Sequence, residues 1–423
     1  MGYSQDTICV QGGWQPKNGE PRVLPIYQST TFKYATSEEM GKLFDLEEEG
    51  YFYSRLQNPT NDVVAQKICD LEGGVAAMLT SSGQAATMLA VTNICEAGDH
   101  VVCAAKVYGG TSNLLAVTLK RFGIETTLVD QDAPAEELEK AFQPNTKAVF
   151  AETISNPAGV VLDIDKFVKL AHEHGVPMIC DNTFATPINC RPFEFGVDIV
   201  THSTTKYMDG HAMALGGAIV DSGNFDWDAH AEKFPGLTTP DESYHGVIYT
   251  QKFGKKAYIT KATAQLMRDM GACQSPQNAF LLNLATSEPI TPGEYDCICA
   301  PDVTGMIVHE AFGHGVEMDM FVKKRALAEK YMPNGTCGVL CFGPKGGRDG
   351  AMRFTNGLKM VAIVTHVADA RSCVLHPASH THRQLNDQQL IEAGVLPDLI
   401  RLSVGIEDVN DIIADLDQAL ANV

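Results

Sequence analysis

The sequence predicts an α/β protein with a mostly parallel central sheet, a smaller C-terminal α/β domain and an extended N-terminal arm. Three observations predict it. Short apolar runs alternate with helical stretches between about residues 60 and 220. Gly-, Pro- and polar-rich sequence fills the first sixty residues. The last ninety return to a shorter strand-and-helix pattern. At 423 residues, with 44% hydrophobic and 20% charged positions, the chain has ample material for a buried core.

The arm, 1–60, includes GEPRVLPIYQSTTF, which reads as extended chain. The second unit, 61–284, holds the sheet. AAMLT, HVVCAA, ETTLVD, KAVFAE, VPMICD, DIVTHS and GGAIVD are four- to six-residue buried strands in this reading. GGTSNLLAVTLKRFG and IDKFVKLAHEHG are helices between them, the second stopping at Gly175. Strands covered on both faces by helices form a parallel sheet, and its ligands sit beyond the strands' carboxyl ends. In the last unit, 330–423, CGVLCFGP and LIRLSVGI are strands and VNDIIADLDQALANV is an amphipathic closing helix.

Net charge is −20 and no Lys/Arg-rich run occurs, which disfavours nucleic-acid and anionic-membrane partners. No apolar run approaches the roughly 18 residues needed to cross a bilayer. The N-terminus shows no basic leader with an apolar core, so a cytoplasmic protein is expected. The 12 cysteines form no paired CxxC array and are expected to be reduced, mostly buried thiols.

Four features fall at predicted strand ends. Ser82, Gly83 and Gln84 follow one strand and open a helix, where small residues expose backbone N–H groups to a phosphate. Asp181 ends a buried strand; it is either a turn former or a carboxylate facing a protonated ring nitrogen. Lys206 follows Ser203, Thr204 and Thr205, hydroxyls able to bind phosphate oxygens; it is either a solvated lysine or a Schiff-base amine. Tyr108 could stack on a flat ring. A phosphate cradle, a carboxylate, an amine and a stacking ring together suit pyridoxal 5'-phosphate (PLP).

On the motifs SSGQAA, DNTFATP, HSTTKYMDGH, YSRLQNPTN, HPASHTHRQL and LIRLSVGIEDVNDIIADLDQAL, the chain resembles the Cys/Met-metabolism family of PLP enzymes, of fold type I. DSGNFDWDAHAEKFPGLTTPDESYHG makes it most similar to the O-acetylhomoserine sulfhydrylase branch. The resemblance covers roughly residues 3–284 and 330–423. It implies catalytic roles for Lys206, which would bind the cofactor covalently, and Tyr108, which would stack on its ring. Asp181 would pair with the ring nitrogen and Asn156 with the ring hydroxyl. Ser82, Gly83, Gln84, Ser203 and Thr205 would hold the phosphate. Tyr53 and Arg55 would reach the phosphate of a neighbouring subunit, implying a homotetramer with shared sites. Arg401 would clamp the substrate carboxylate. The implied reaction is γ-replacement on O-acetyl-L-homoserine by sulfide or a thiol, giving homocysteine (or methionine) and acetate. The preferred thiol and the donor's acyl group stay open.

Residues 285–329 depart from that pattern. Pro289, Pro292, Gly293 and Pro301 break the long interdomain helix expected there. VHEAFGHGVEMD resembles instead the HExxxH segment of modulator-of-gyrase metallopeptidases, in which His309 and His314 would bind zinc and Glu310 act as base. Histidines five apart lie ~140° apart around a helix, and the rest of that peptidase is missing, so no metal site is expected. A zinc peptidase fragment and a catalytically impaired chimera are the two alternatives.

Overall fold

The structure is a computed structural model that describes residues 3–286, 327, 330–332, 338–383, 385–392 and 394–423. His309, Glu310 and His314 lie outside the described residues.

All seven runs read as strands are strands: β1 (Ala76–Thr80), β2 (His100–Ala104), β3 (Glu125–Val129), β4 (Thr146–Glu152), β5 (Met178–Asp181), β6 (Ile199–His202) and β7 (Gly217–Asp221). They form one sheet in the order β3-β2-β4-β5-β6-β7-β1. Pairings from β3 to β6 are parallel, and β7 runs antiparallel to both β6 and β1. Helices covering both faces bury the apolar runs within β2, β4, β5 and β6: Val101, Phe150, Ile179 and Val200 are each 0% exposed. The carboxyl ends of β1, β2, β4, β5 and β6 (Thr80, Ala104, Glu152, Asp181 and His202) share one edge, and that edge carries the site.

The arm is not extended throughout. It contains α1 (Gln5–Gln11) and α2 (Ser37–Phe44) before α3 (Pro59–Glu72). Thr36 caps α2 by accepting from the Glu39 N–H. This Ser/Thr-x-x-Glu spacing was available in the sequence. In α3, Asn58 accepts from Thr60 N–H, Pro59 takes the first turn, and Gly73 ends the helix at φ 80°, where a side chain would be strained. Next come α4 (Gly83–Thr92) and α5 (Gly109–Asn113). The helix expected over 109–123 is α5 followed by a wider π turn, Leu114–Thr118, and a tight 3-10 turn, Leu119–Phe122. The added residue of the π turn keeps Leu114, Leu115 and Leu119 all in the core.

A second sheet is built from β8 (Val339–Phe342), β9 (Ala362–Ile363), β10 (Cys373–Leu375) and β11 (Ile400–Ser403), ordered β8-β11-β10-β9. The closing helix Val409–Leu420 and helix Gly347–Gly357 pack on it, burying Phe342, Phe354, Leu402, Ile412 and Leu416. Arg401 on β11 faces the first sheet's carboxyl edge and bonds to Asn156 there.

Asp221 shows what burial costs in this core. It is 1% exposed, accepts one N–H from Gly223 at 2.8 Å, and leaves Oδ2 without a partner. Burial, helped by nearby Asp198, raises its pKa from 3.8 to about 7. A carboxyl raised on folding contributes its full stability below the ordinary value. That contribution is lost as pH climbs through about 7. Asp221→Asn is therefore expected to raise the thermal midpoint above pH 7 and to change it little near pH 4. Equal shifts at both would refute the charge argument.

Candidate active site

Two strand-end turns make the anion cradle. Ser82 is the N-cap of α4 and its hydroxyl accepts from the Ala85 N–H at 3.1 Å, which leaves the free N–H groups of the first turn pointing off the sheet edge. A Cβ on Gly83 would stand 2.4 Å from the Ser203 Cβ, so glycine is what lets the turns after β1 and β6 meet. Gln84 reaches the other way and donates to Gly110 O at 2.8 Å, in the loop of Tyr108. Thr205 is turned inward: its hydroxyl bonds both Gly216 O (3.1 Å) and Gly216 N–H (3.0 Å), bracing the lysine loop. A helix N-terminus, small side chains and a hydroxyl fit a phosphate monoester.

Asp181 is held by its neighbours. Its Oδ1 accepts from Thr183 N–H at 2.9 Å, and the Thr183 hydroxyl bonds both Asp181 and the Ser203 N–H (2.8 Å). Burial raises the Asp181 pKa, opposed by the Thr183 hydrogen bonds and by His202. A buried carboxylate with raised proton affinity is a good partner for a ring N–H⁺. Thr183 sits in a motif the sequence singled out, yet its bridging role depends on β6 and was not legible.

Lys206 lies in the turn after β6, its backbone N–H donating to Ser203 O. Burial lowers its pKa and Arg401 lowers it further, with the Cys373 thiol acting weakly the other way. Such an amine is neutral more often than a surface lysine, as a nucleophile or base must be.

Arg401 is 4% exposed. It donates from Nη1 to Asn156 Oδ1 (2.9 Å) and from Nη2 to Thr365 O (3.2 Å) and His366 O (3.1 Å). Its Nε has no partner, and neither has the buried Nε2 of His366. No carboxylate among the described residues pairs with Arg401. The side chain of Tyr108 is 47% exposed while its backbone is fixed by Glu152. Gly83, Gln84, Tyr108, Asn156, Asp181, Ser203, Lys206 and Arg401 are thus linked on one edge by direct contact or by a single intervening residue.

Tyr53 and Arg55 are not part of that cluster. Both are exposed, the Arg55 guanidinium lying 5.0 Å from the Tyr53 ring centroid. The HPASHTH loop holds its imidazoles in hydrogen bonds: His376 to Ser379 Oγ and Pro397 O, both 2.8 Å, and His382 to Thr381 Oγ1 at 2.9 Å. The His382 Nε2 would lie 2.6 Å from a Cβ on Gly109, so this loop walls the Tyr108 turn. Among the described residues no cluster of three His, Cys, Asp or Glu could hold a metal ion.

The family model for Cys/Met metabolism PLP-dependent enzymes matches residues 6–286 and 322–421. The homocysteine/cysteine synthase of Saccharomyces cerevisiae is 41% identical over 435 aligned residues, covering 99% of this chain and 98% of that protein. The O-acetyl-L-homoserine sulfhydrylase of Corynebacterium glutamicum is 41% identical over 411, covering 95% and 93%. A solved structure from Campylobacter jejuni, provisionally named an O-acetylhomoserine (thiol)-lyase, superposes with a TM-score of 0.93 at 34% identity, covering 99% of this chain and 100% of that one. It carries a pyridoxyl-lysine phosphate. The family model leaves 287–321 unmatched, but none of these relatives is a peptidase, and the peptidase reading of His309, Glu310 and His314 gains no support.

Proposed function

The chain belongs to the Cys/Met-metabolism family of PLP-dependent enzymes, and from that premise we propose that it performs γ-replacement on O-acetyl-L-homoserine, exchanging acetate for sulfide or a thiol to give homocysteine or a thioether. The observation that carries this reading is the pairing of a buried, carboxylate-free guanidinium, Arg401, with a half-buried, partly desolvated amine, Lys206, beside the cradle of Gly83 and Ser203. An α-amino acid brings the missing carboxylate.

When bound, PLP supplies an electron sink for the charge left at carbon by proton removal. The cofactor phosphate would sit at the α4 N-terminus with Ser82, Gly83, Gln84 and Ser203, the ring between Tyr108 and the sheet, its nitrogen on Asp181 and its hydroxyl at Asn156. Arg401 fixes the substrate carboxylate and so orients Cα–H toward Lys206. The Lys206 amine takes the Cα proton, releases it within the site, and as a free base again takes a Cβ proton. Acetate departs from Cγ with the C–O electron pair. The sulfide or thiol enters as its anion and forms the new S–C bond at Cγ, and Lys206 Nζ returns protons to Cβ and Cα.

The finer parts of the proposal concern assembly and place. Tyr53 and Arg55, exposed and away from their own pocket, would complete the phosphate site of a neighbouring subunit. Tyr3, Val10, Val23 and Phe44 of the arm are each more than half exposed, the apolar surface that such a contact would cover. A homotetramer in the cytoplasm, with 1–60 as contact arm, 61–284 as the cofactor unit, 330–423 as the substrate-clamping unit and the atypical 285–329 between the last two in sequence, is the assembly proposed. Among the described residues no helix is long and apolar enough to cross a membrane.

The test is the purified protein's absorbance before and after adding O-acetyl-L-homoserine, with homocysteine assayed once sulfide is present. The lysine-bound cofactor band should change on substrate addition, and homocysteine should form in step with acetate. A PLP-loaded protein that leaves O-acetylhomoserine unconsumed in the presence of sulfide or methanethiol contradicts the reading.

A further inference from the structure

Glu152 is the last residue of β4, and nothing in the pattern of its segment, TKAVFAE, marks it out from other strand ends. It is 6% exposed, and both its carboxylate oxygens are engaged: Oε1 accepts the Tyr108 N–H at 2.7 Å and Oε2 accepts the Asn156 N–H at 3.0 Å. These donors lead the two loops that follow β2 and β4, and are 44 and 4 residues away in sequence. Glu152 is also the in-register neighbour of Asp181 on the parallel strand β5. Side chains at partnered positions of parallel strands point to the same face. The charged group facing Glu152 is Asp181, and the thiol of Cys103 on β2, which pairs with Phe150, lies on the same face of the sheet. A carboxylate so deeply buried, beside another, costs stability unless its hydrogen bonds are what the site needs.

We propose that Glu152 is a positioning residue of the cofactor site, one carboxylate that sets the backbone of the stacking residue Tyr108 and of the ring-hydroxyl partner Asn156 together. The proposal rests on the reading of those two residues given above. Through Asn156 the effect extends to Arg401, whose Nη1 donates to the Asn156 side chain. The ring face, the ring hydroxyl and the substrate clamp then share one anchor on the sheet. Burial and the adjoining Asp181 raise the proton affinity of Glu152, and the two backbone N–H bonds oppose them. Neighbouring carboxylates raise each other's proton affinity, so Glu152 also strengthens the hold of Asp181 on a proton.

The experiment compares Glu152→Gln and Glu152→Ala with the unmodified protein. Amide hydrogen exchange is measured on the apoprotein, where no cofactor contributes. Exchange at the Tyr108 and Asn156 amides should quicken at both sites in Glu152→Ala, and mainly at one site in Glu152→Gln, whose amide offers a single acceptor oxygen. PLP dissociation constants are then measured by titration; roughly tenfold weakening for Ala and a smaller loss for Gln are expected, tenfold being the effect of one hydrogen bond of about 1.4 kcal/mol. The pH titration of the lysine-bound cofactor band should also shift in Glu152→Gln, because Asn156, the partner of the ring hydroxyl, loses part of its backbone anchor. If the two amides exchange as in the parent, or if they quicken while PLP affinity stays within about twofold, Glu152 does not position the site. Should Glu152→Ala fail to fold, Glu152→Gln decides by the same measurements. A parent protein that binds no PLP would instead overturn the functional reading, while the exchange result would stand or fall alone.

Discussion

Lys206→Ala is expected to lower kcat/KM by roughly 10⁴-fold or more, because one amine serves as cofactor tether, Cα base and Cβ base. The physical case starts from burial, which together with Arg401 lowers the pKa of this lysine. No hydrogen bond of its Nζ within the described residues would be broken, so the substitution should not lower the apoprotein's thermal midpoint. Removing a desolvated amine leaves, if anything, less strain on the folded state. The two readouts therefore separate: activity collapses and stability holds. Borohydride reduction followed by mass spectrometry should place the pyridoxyl adduct on the peptide containing Lys206 in the parent and on no peptide in the variant. An adduct elsewhere in the parent, or a variant within tenfold of parental activity, would overturn the assignment of this amine.

Asp181 was legible because it ends a buried apolar strand, where a polar group has few reasons to be, and Lys206 because it follows a strand and a run of three hydroxyls. Much of the sheet was legible for a related reason: parallel strands covered on both faces do not alternate, and Val101–Ala104 and Ala148–Ala151 are continuous buried apolar runs. The partners of the site residues were hidden because hydrogen bonding at strand ends is non-local. Glu152 reaches Tyr108 across 44 residues, and Thr183 meets Ser203 across 20. Thr205 illustrates the converse. Its place in a hydroxyl run suggested phosphate binding, yet the fold turns it onto Gly216, where it braces the loop carrying Lys206. In the arm, prolines and glycines suggested extended chain, while the local cap at Thr36 won and formed a helix over Ser37–Phe44. Arg401 was placed from its motif alone; what makes it informative is its burial between the two sheets, which only the tertiary structure shows.

That burial leads to the second large effect. Arg401→Leu is expected to reduce kcat/KM for O-acetyl-L-homoserine by roughly 10²–10³-fold, about 3–4 kcal/mol and within the range of roughly 2–5 kcal/mol that loss of one partner from a buried charge pair costs. The loss should fall mainly on KM, because the guanidinium holds the substrate's carboxylate in the ground state and the transition state alike. Arg401→Lys should recover little of it. The planar fork of Arg401 serves Asn156 Oδ1 and the carbonyls of Thr365 and His366 at once, and a single ammonium cannot span those acceptors while also meeting a carboxylate in bidentate fashion. The cofactor band should persist in both variants, since Arg401 contacts Asn156 but belongs to the other sheet. The decisive comparison is between O-acetyl-L-homoserine and its α-carboxylate methyl ester. The parent should prefer the free acid by a factor close to the loss seen in Arg401→Leu, and the variant should scarcely distinguish them. If Arg401→Leu keeps the parent's preference for the acid, some other group reads the carboxylate, and the unpaired guanidinium between the sheets has a different purpose.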